Sequence, residues 1–224
     1  MRDRYLNVSA IRRHSRVTGP GLRNAIWVQG CSIGCPGCFN PQTHPHDERT
    51  LFDPEALADQ LAGDAETEGV TILGGEPLEQ AAACASFARR AQTLGGSVVT
   101  YSGYTWSYLQ SARLPAVREL LDATDLLIAG PFVQRGANDG RGWHGSTNQE
   151  FVYLTSRYDD RVRAQFDEVP VVEARVDGGA LDWTGIPGPA ELAAGLVEGL
   201  GGPQVHDFSA MRSLSAKPTI VRSQ

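Results

Sequence analysis

Long hydrophobic runs are missing from this 224-residue chain, and so is any excess of basic charge. No apolar stretch approaches the roughly 20 residues that a membrane-spanning helix needs, which predicts no membrane partner. Lys and Arg number 20 against 26 Asp and Glu, a formal charge of −6. Nucleic acid and anionic lipid therefore have no electrostatic pull toward the chain, and no nucleic-acid partner is expected. Residues Met1 to Asn7 are charged and carry no apolar core of the secretory-signal kind, so the expected compartment is the cytoplasm. Cysteine is scarce as well. Four are too few for a disulfide scaffold, and a cytosolic chain keeps them reduced.

What cysteine there is lies in one place. Cys31, Cys35 and Cys38 fall within eight residues, whereas Cys84 stands alone in an Ala-rich stretch that reads as a small buried hydrophobe. Gly34, Pro36 and Gly37 between the three favour a tight loop over a helix. Three thiolates on one loop can converge on one metal centre. Zinc would need a fourth ligand, which His44 or His46 could supply. An iron–sulfur cube normally takes four cysteines, and three would leave one iron open to a substrate or cofactor.

Periodicity predicts alternating strands and helices. Ala25 to Gln29 is a short apolar strand ending at Gly30. Asp53, Pro54 and Glu55 open a helix that Gly69 should stop. Val70 to Leu73 is a β-branched strand ending in Gly74 and Gly75, and Leu78 to Leu94 is a helix closed by Gly95 and Gly96. Ser97 to Tyr101 is the next strand, Thr105 caps a short helix through Ala112, Pro115 to Leu121 is helical, and Asp125 to Ala129 is a further buried strand. Such alternation implies a parallel sheet covered by helices, with ligands at the carboxyl ends of the strands. Gly30–Cys31, Gly74–Gly75 and Tyr101–Ser102–Gly103 all fall at such ends. Farther on, residues 171–176 and 180–183 suggest a hairpin around Asp177, Gly178 and Gly179. A helix is expected over 189–200, broken at 201–203.

Two motifs make the chain resemble the radical S-adenosylmethionine enzymes. One is Gln29-Gly30-Cys31-Ser32-Ile33-Gly34-Cys35-Pro36-Gly37-Cys38-Phe39-Asn40-Pro41, preceded by Gly19-Pro20-Gly21-Leu22-Arg23. The other is Gly74-Gly75-Glu76-Pro77. The stretches Tyr101 to Trp106 and Arg141 to Gln149 narrow the resemblance to the activating enzymes of glycyl-radical proteins, in particular those of anaerobic ribonucleotide reductase. It covers roughly residues 13 to 155.

That resemblance implies a partial, open parallel β/α barrel over residues 1–155, with residues 156–224 as a C-terminal extension packed on the same domain. It implies a [4Fe-4S] cluster held by Cys31, Cys35 and Cys38, with its open iron chelated by S-adenosyl-L-methionine. Reductive cleavage of that cofactor would yield a 5′-deoxyadenosyl radical, which removes a hydrogen atom from a glycine of a glycyl-radical enzyme partner. The electron would come from a one-electron donor such as flavodoxin or ferredoxin. Gly74, Gly75, Glu76 and Pro77 are expected around the methionyl end of the cofactor, Gly37 and Phe39 near its adenine, and Ser102 within reach of its ribose or carboxylate. Where these activating enzymes usually carry an Asp and a Lys, this chain has Ala129 and Pro131. Two other readings stay open: a radical enzyme acting on a small molecule or peptide, and a non-enzymatic zinc-binding protein.

Overall fold

The computed structural model describes residues 4–137, 142–159, 161–162, 172–177 and 180–185. Its centre is set by strand β2 (Arg23–Val28), in which all six residues are buried. A strand buried on both faces needs a sheet neighbour on each side and cover above and below. On one side β2 pairs in parallel with β4 (Gly69–Gly74), and the parallel ladder continues through β5 (Ser97–Ser102) and β6 (Leu126–Ala129). On the other side it pairs antiparallel with β1 (Leu6–Ser15), which pairs antiparallel with β3 (Thr50–Phe52). Strand β7 (Glu150–Tyr153) adds antiparallel to β6, giving the order β3-β1-β2-β4-β5-β6-β7.

The sheet is thus mixed. The all-parallel sheet expected from the alternation is correct for its four central strands only. The three antiparallel strands were not foreseen, because each departs from a clean apolar pattern. The pairing of β1 is interrupted twice by irregular register, and Arg12 is buried within it. Strand β3 has only three residues, and no residue of β7 is fully buried.

The helices follow the expected signals closely. In α1 (Pro54–Ala62) the Asp53 carboxylate accepts from the Glu55 and Ala56 amides at 3.1 and 3.0 Å. This helix stops at Gly63, earlier than expected. Gly69 instead starts β4, where a Cβ would lie 2.0 Å from the Ser97 carbonyl oxygen. The long helix expected from Leu78 is a 3-10 turn (Pro77–Gln80) running into α2 (Ala81–Thr93). Helices α3 (Trp106–Ser111), capped by Thr105, and α4 (Pro115–Asp122) complete the set. Leu57, Leu61, Phe87 and Leu120 from α1, α2 and α4 pack on Ile26, Val28, Ile72 and Val98 of the sheet. Cys84 is fully buried in this layer, as expected of a small hydrophobe. On the opposite face, Val99, Leu126 and Ile128 carry Trp143 and Tyr158.

The hairpin exists, as β8 (Val172–Asp177) paired with β9 (Ala180–Gly185). Its two turn glycines, and the helix and break expected over 189–203, lie outside the described residues.

At the amino ends of the parallel strands sits Arg23, fully buried. Its Nε donates to Thr71 Oγ1 at 2.8 Å, its Nη1 to the Pro20 carbonyl, Ser97 Oγ and Tyr158 Oη, and its Nη2 to the Val70 and Ser97 carbonyls. Tyr158 in turn donates to the Glu68 carboxylate, so the buried cation reaches its counter-charge through a phenol. Burial pushes the Tyr158 hydroxyl up, which keeps it protonated for that donation. One guanidinium therefore ties together the starts of β2, β4 and β5. Replacing it strands several buried acceptors at once. Arg23→Met is expected to lose about 3 kcal/mol or more, lowering the melting temperature by roughly 6–12 °C. Arg23→Lys should recover little of this, since a single ammonium cannot span three strands. Urea and thermal unfolding of the two variants check both statements.

Candidate metal and cofactor site

The opposite edge, at the carboxyl ends of the parallel strands, gathers the sequence motifs. The β2–β4 ladder does not stop where the strands do. The Gly75 amide donates to the Val28 carbonyl and the Glu76 amide to the Gly30 carbonyl, both at 2.8 Å. The cysteine loop that leaves β2 and the turn that leaves β4 are thereby joined backbone to backbone. This explains the glycines. A Cβ on Gly75 would lie 2.3 Å from the Gly30 carbonyl oxygen, and one on Gly74, at φ +105°, would lie 2.6 Å from the Trp27 backbone. Glycine is required here by the approach of the chain to itself, whatever ligand follows.

The cysteine loop is held from several sides. The Gly30 and Cys31 amides donate to the Thr43 and His44 carbonyls at 2.8 and 3.0 Å. The Ser32 amide donates to the Glu79 carboxylate at 2.7 Å, and Ile33 packs against Gly103. Within this frame Cys31, Cys35 and Cys38 are half-buried free thiols lining one cavity. Burial pushes the Cys31 and Cys38 thiols up, more than the backbone amides beside them pull them down. Binding a metal centre here releases protons and grows more favourable as pH rises.

Glu76 is the buried carboxylate of the site, 1% exposed. One oxygen accepts from the Leu78 amide and Ser102 hydroxyl at 2.9 and 3.0 Å, and the other from the Gly103 amide at 2.8 Å. The side chain thus binds the β4 turn to the end of β5. Burial pushes its carboxyl up to about 7, against the pull of those three donors. The expected role of Ser102 as a free hydroxyl also changes, because its proton goes to Glu76 while its oxygen accepts from the Tyr104 amide.

The cavity has a volume of about 430 Å³, in the range of small-molecule sites. Its walls bring together all three cysteines, Phe39, Gly74, Gly75, Glu76, Ser102 and Gly103. Neither Gly37 nor Pro77 is part of that lining: Gly37 is backed by Gln134, and Pro77 is buried. Phe39 is 40% exposed and stacks at a tilt on Phe132, with ring centroids 4.8 Å apart, so it belongs to the mouth of the cavity. Tyr101 lines the wall and donates to the Trp143 carbonyl at 2.7 Å. The polar loop after Trp143 serves the frame. Gln149 accepts from the Gly145 amide and donates to the Gly130 carbonyl at the end of β6.

Sequence reasoning missed Thr18, Trp27, Phe132 and Thr184 of the lining, and Glu79 behind the loop. Thr18 was legible in principle from its place beside Gly19. Thr184 gave no signal at all.

The donor set decides what these thiols fit. No fourth cysteine can join them, since Cys84 is enclosed in the helical layer. A tetrahedral zinc ion draws its thiolates to about 3.8 Å of one another. Among the described residues the one set of three candidate ligand atoms lying within 4.8 Å of each other is His14, Asp64 and Glu66, near the amino end of β2. The three thiols are therefore spread more widely than one ion requires, around a cavity with room beside them. Of the two suggested zinc ligands, His44 lines the same cavity as the thiols, whereas His46 faces Ser32 Oγ at 3.3 Å and the Glu79 carboxylate at 3.6 Å. Three spread thiols without a fourth fit a cluster with one open iron.

This fold and site define an α/β protein with three free thiols around a cofactor-sized cavity at its strand ends. Residues 17–152 match the family described as a 4Fe-4S single cluster domain, and the chain belongs to that family and, with it, to the radical S-adenosylmethionine activating enzymes. It is 30% identical over 147 residues to the anaerobic ribonucleoside-triphosphate reductase-activating protein of Escherichia coli (strain K12), covering 62% of this chain and 92% of that protein. The protein of the same description from Vibrio cholerae is 30% identical over 141 residues, 59% of this chain and 88% of its own length. A shorter match, 37% over 79 residues, joins 33% of this chain to 32% of the pyruvate formate-lyase-activating enzyme of Listeria monocytogenes.

Two measurements probe the frame. Gly75→Ala drives a methyl into the Gly30 carbonyl, so iron uptake on reconstitution should fall severalfold while far-ultraviolet circular dichroism stays unchanged. Glu76 has a folded-state value near 7 against about 4.5 unfolded. Its contribution to stability is therefore fully present below pH 4.5 and lost as pH rises through 7. Urea unfolding of the metal-free chain from pH 5 to 8 should show this loss, and Glu76→Gln should flatten that part of the profile.

Proposed function

We propose that this chain is the activating enzyme of a glycyl-radical protein, most closely of the anaerobic ribonucleotide reductase type. The observation that carries the reading is the meeting of Cys31, Cys35 and Cys38 with the Gly74–Gly75–Glu76 turn around one cavity. In this reading the sheet and its helices are part of an open β/α barrel, and residues 156–224 extend it on the same domain. The working compartment is the cytoplasm.

A [4Fe-4S] cluster with S-adenosylmethionine bound at its open iron would supply one-electron cleavage of a sulfonium and, from it, hydrogen-atom removal from a glycine. The chain's own residues do the rest. Cys31, Cys35 and Cys38 hold the metal centre and leave one side of it facing the cavity. The Gly74 to Glu76 turn offers main-chain atoms to the methionyl end, its conformation fixed by the ladder to β2. The Glu76 carboxylate, already engaged by three protein donors, adds negative potential there and locks Ser102 and Gly103 in place. Phe39, at the mouth beside Phe132, would cover an adenine, while Gly37, outside the lining, shapes the loop beside Cys38. The low polarity of the walls made by Trp27, Leu73 and Trp143 disfavours bulk water in the cavity. A flavodoxin or ferredoxin is the electron donor in this scheme.

The test is anaerobic reconstitution with iron and sulfide, then dithionite and S-adenosylmethionine, with assay of 5′-deoxyadenosine. The wild-type chain should form it. Cys31→Ala, Cys35→Ala and Cys38→Ala should each lose iron and fall to background. A variant that keeps turnover, or a wild type that retains zinc and forms no product, would overturn the assignment.

A further inference from the structure

The cavity has a second source of lining. Thr184 and Gly185 of β9 contribute to its wall, yet the family match ends at residue 152, before the hairpin begins. The alignment with the Escherichia coli relative takes in 92% of that protein but only 62% of this chain. It is anchored to the sheet. Arg12 of β1 donates through Nε and Nη2 to Thr184 Oγ1 at 3.2 and 3.1 Å, and the Arg16 amide donates to the Glu173 carboxylate of β8 at 2.8 Å.

Thr184 is 5% exposed where it lines the cavity, against 40% for Phe39 at the mouth. Its oxygen accepts twice from a guanidinium, which leaves the hydroxyl proton to donate elsewhere and strengthens it as a donor. Thr18, 3% exposed on the same cavity, has a hydroxyl with no partner among the described residues. Buried hydroxyls nearly always find a partner, in the protein, in ordered water or in a ligand. Among the described residues no Lys, Arg or Asp contributes to the lining, whose titratable groups other than the thiols and Tyr101 are His44 and Glu76 beside the cysteine loop and the β4 turn. The buried end therefore offers hydroxyls between apolar walls and no clamp for a phosphate or carboxylate, which suits the peptide groups of an uncharged main-chain segment.

We propose that the β8–β9 hairpin is a specificity element of this chain: it floors the cavity, and the Thr184 and Thr18 hydroxyls there bind main-chain peptide groups of the glycine-bearing segment that enters. This rests on the glycyl-radical reading above. It narrows the substrate to a thin, uncharged stretch of chain.

The probe is acetyl-Ala-Ala-Gly-Ala-Ala-amide, radiolabelled and dialysed anaerobically against the reconstituted full chain with S-adenosylmethionine. Thr18→Val and Thr184→Val should each weaken peptide binding about 5–10-fold, the loss of one hydrogen bond. Thr18→Ser and Thr184→Ser should hold it within about twofold of wild type, since the hydroxyl is kept. The Thr18 variant separates binding from folding, because its hydroxyl makes no bond among the described residues. Thr18→Val should melt at the same temperature as wild type or above it while losing affinity. Equal peptide affinity in wild type and both valine variants would overturn the proposal. So would a wild type that forms 5′-deoxyadenosine but binds no peptide, and in that case the radical chemistry stands. A wild type that binds peptide through these hydroxyls but forms no 5′-deoxyadenosine supports the floor and sinks the proposed function instead.

Discussion

The site depends on one close approach of the backbone to itself, that of Gly75 to the Gly30 carbonyl. Parallel strands β2 and β4 keep their register past their own ends, and the two ladder bonds that follow fix the cysteine loop against the Gly74–Pro77 turn. A loop bearing three thiols has little structure of its own. Without that seam its sulfurs would sample many separations, and ordering them would fall to the metal centre. With it, ordering is done in folding, by main-chain bonds that no side-chain chemistry disturbs.

Glu76 extends the same logic to a third strand. Burying a carboxylate is unfavourable, and the upward displacement of its proton affinity is the visible consequence. Three donors offset part of that cost and bring the ends of β4 and β5 into one frame. The same strands are tied at their other ends by Arg23, through neutral acceptors and Tyr158. The sheet thus carries a buried cation at its amino edge and a buried acid at its carboxyl edge. The first serves the fold alone. The second serves the fold and faces the cavity as well.

The helices and central strands were legible because their signals are local. Asp53 before Pro54 caps a helix wherever it occurs, and the β-branched run Val70 to Leu73 ending in two glycines is a buried strand on pattern alone. The helix end at Gly63 was misjudged because Gly69 is also a stop signal, and only its contact with Ser97 reveals it as a strand opening. Strand β1 was missed because a buried Arg12 breaks its apolar pattern. That arginine donates to Thr184, 172 residues away, and no window of sequence spans such a pair.

The sequence by itself determined the chemistry of this protein, because thiol spacing on a short loop is a local property that folding cannot change. It also determined the parallel centre of the sheet, from apolar runs and glycine stops. Tertiary structure alone decided the rest. Why glycine stands at 74 and 75 is decided by Trp27 and Gly30, residues distant in sequence. That the Glu76 carboxylate is spent on protein donors, and that Phe39 stands at the mouth and Thr184 at the floor, follows from which strand ends are neighbours. Spacing along a chain records what can react; only packing across the sheet records what each reacting group is left free to touch.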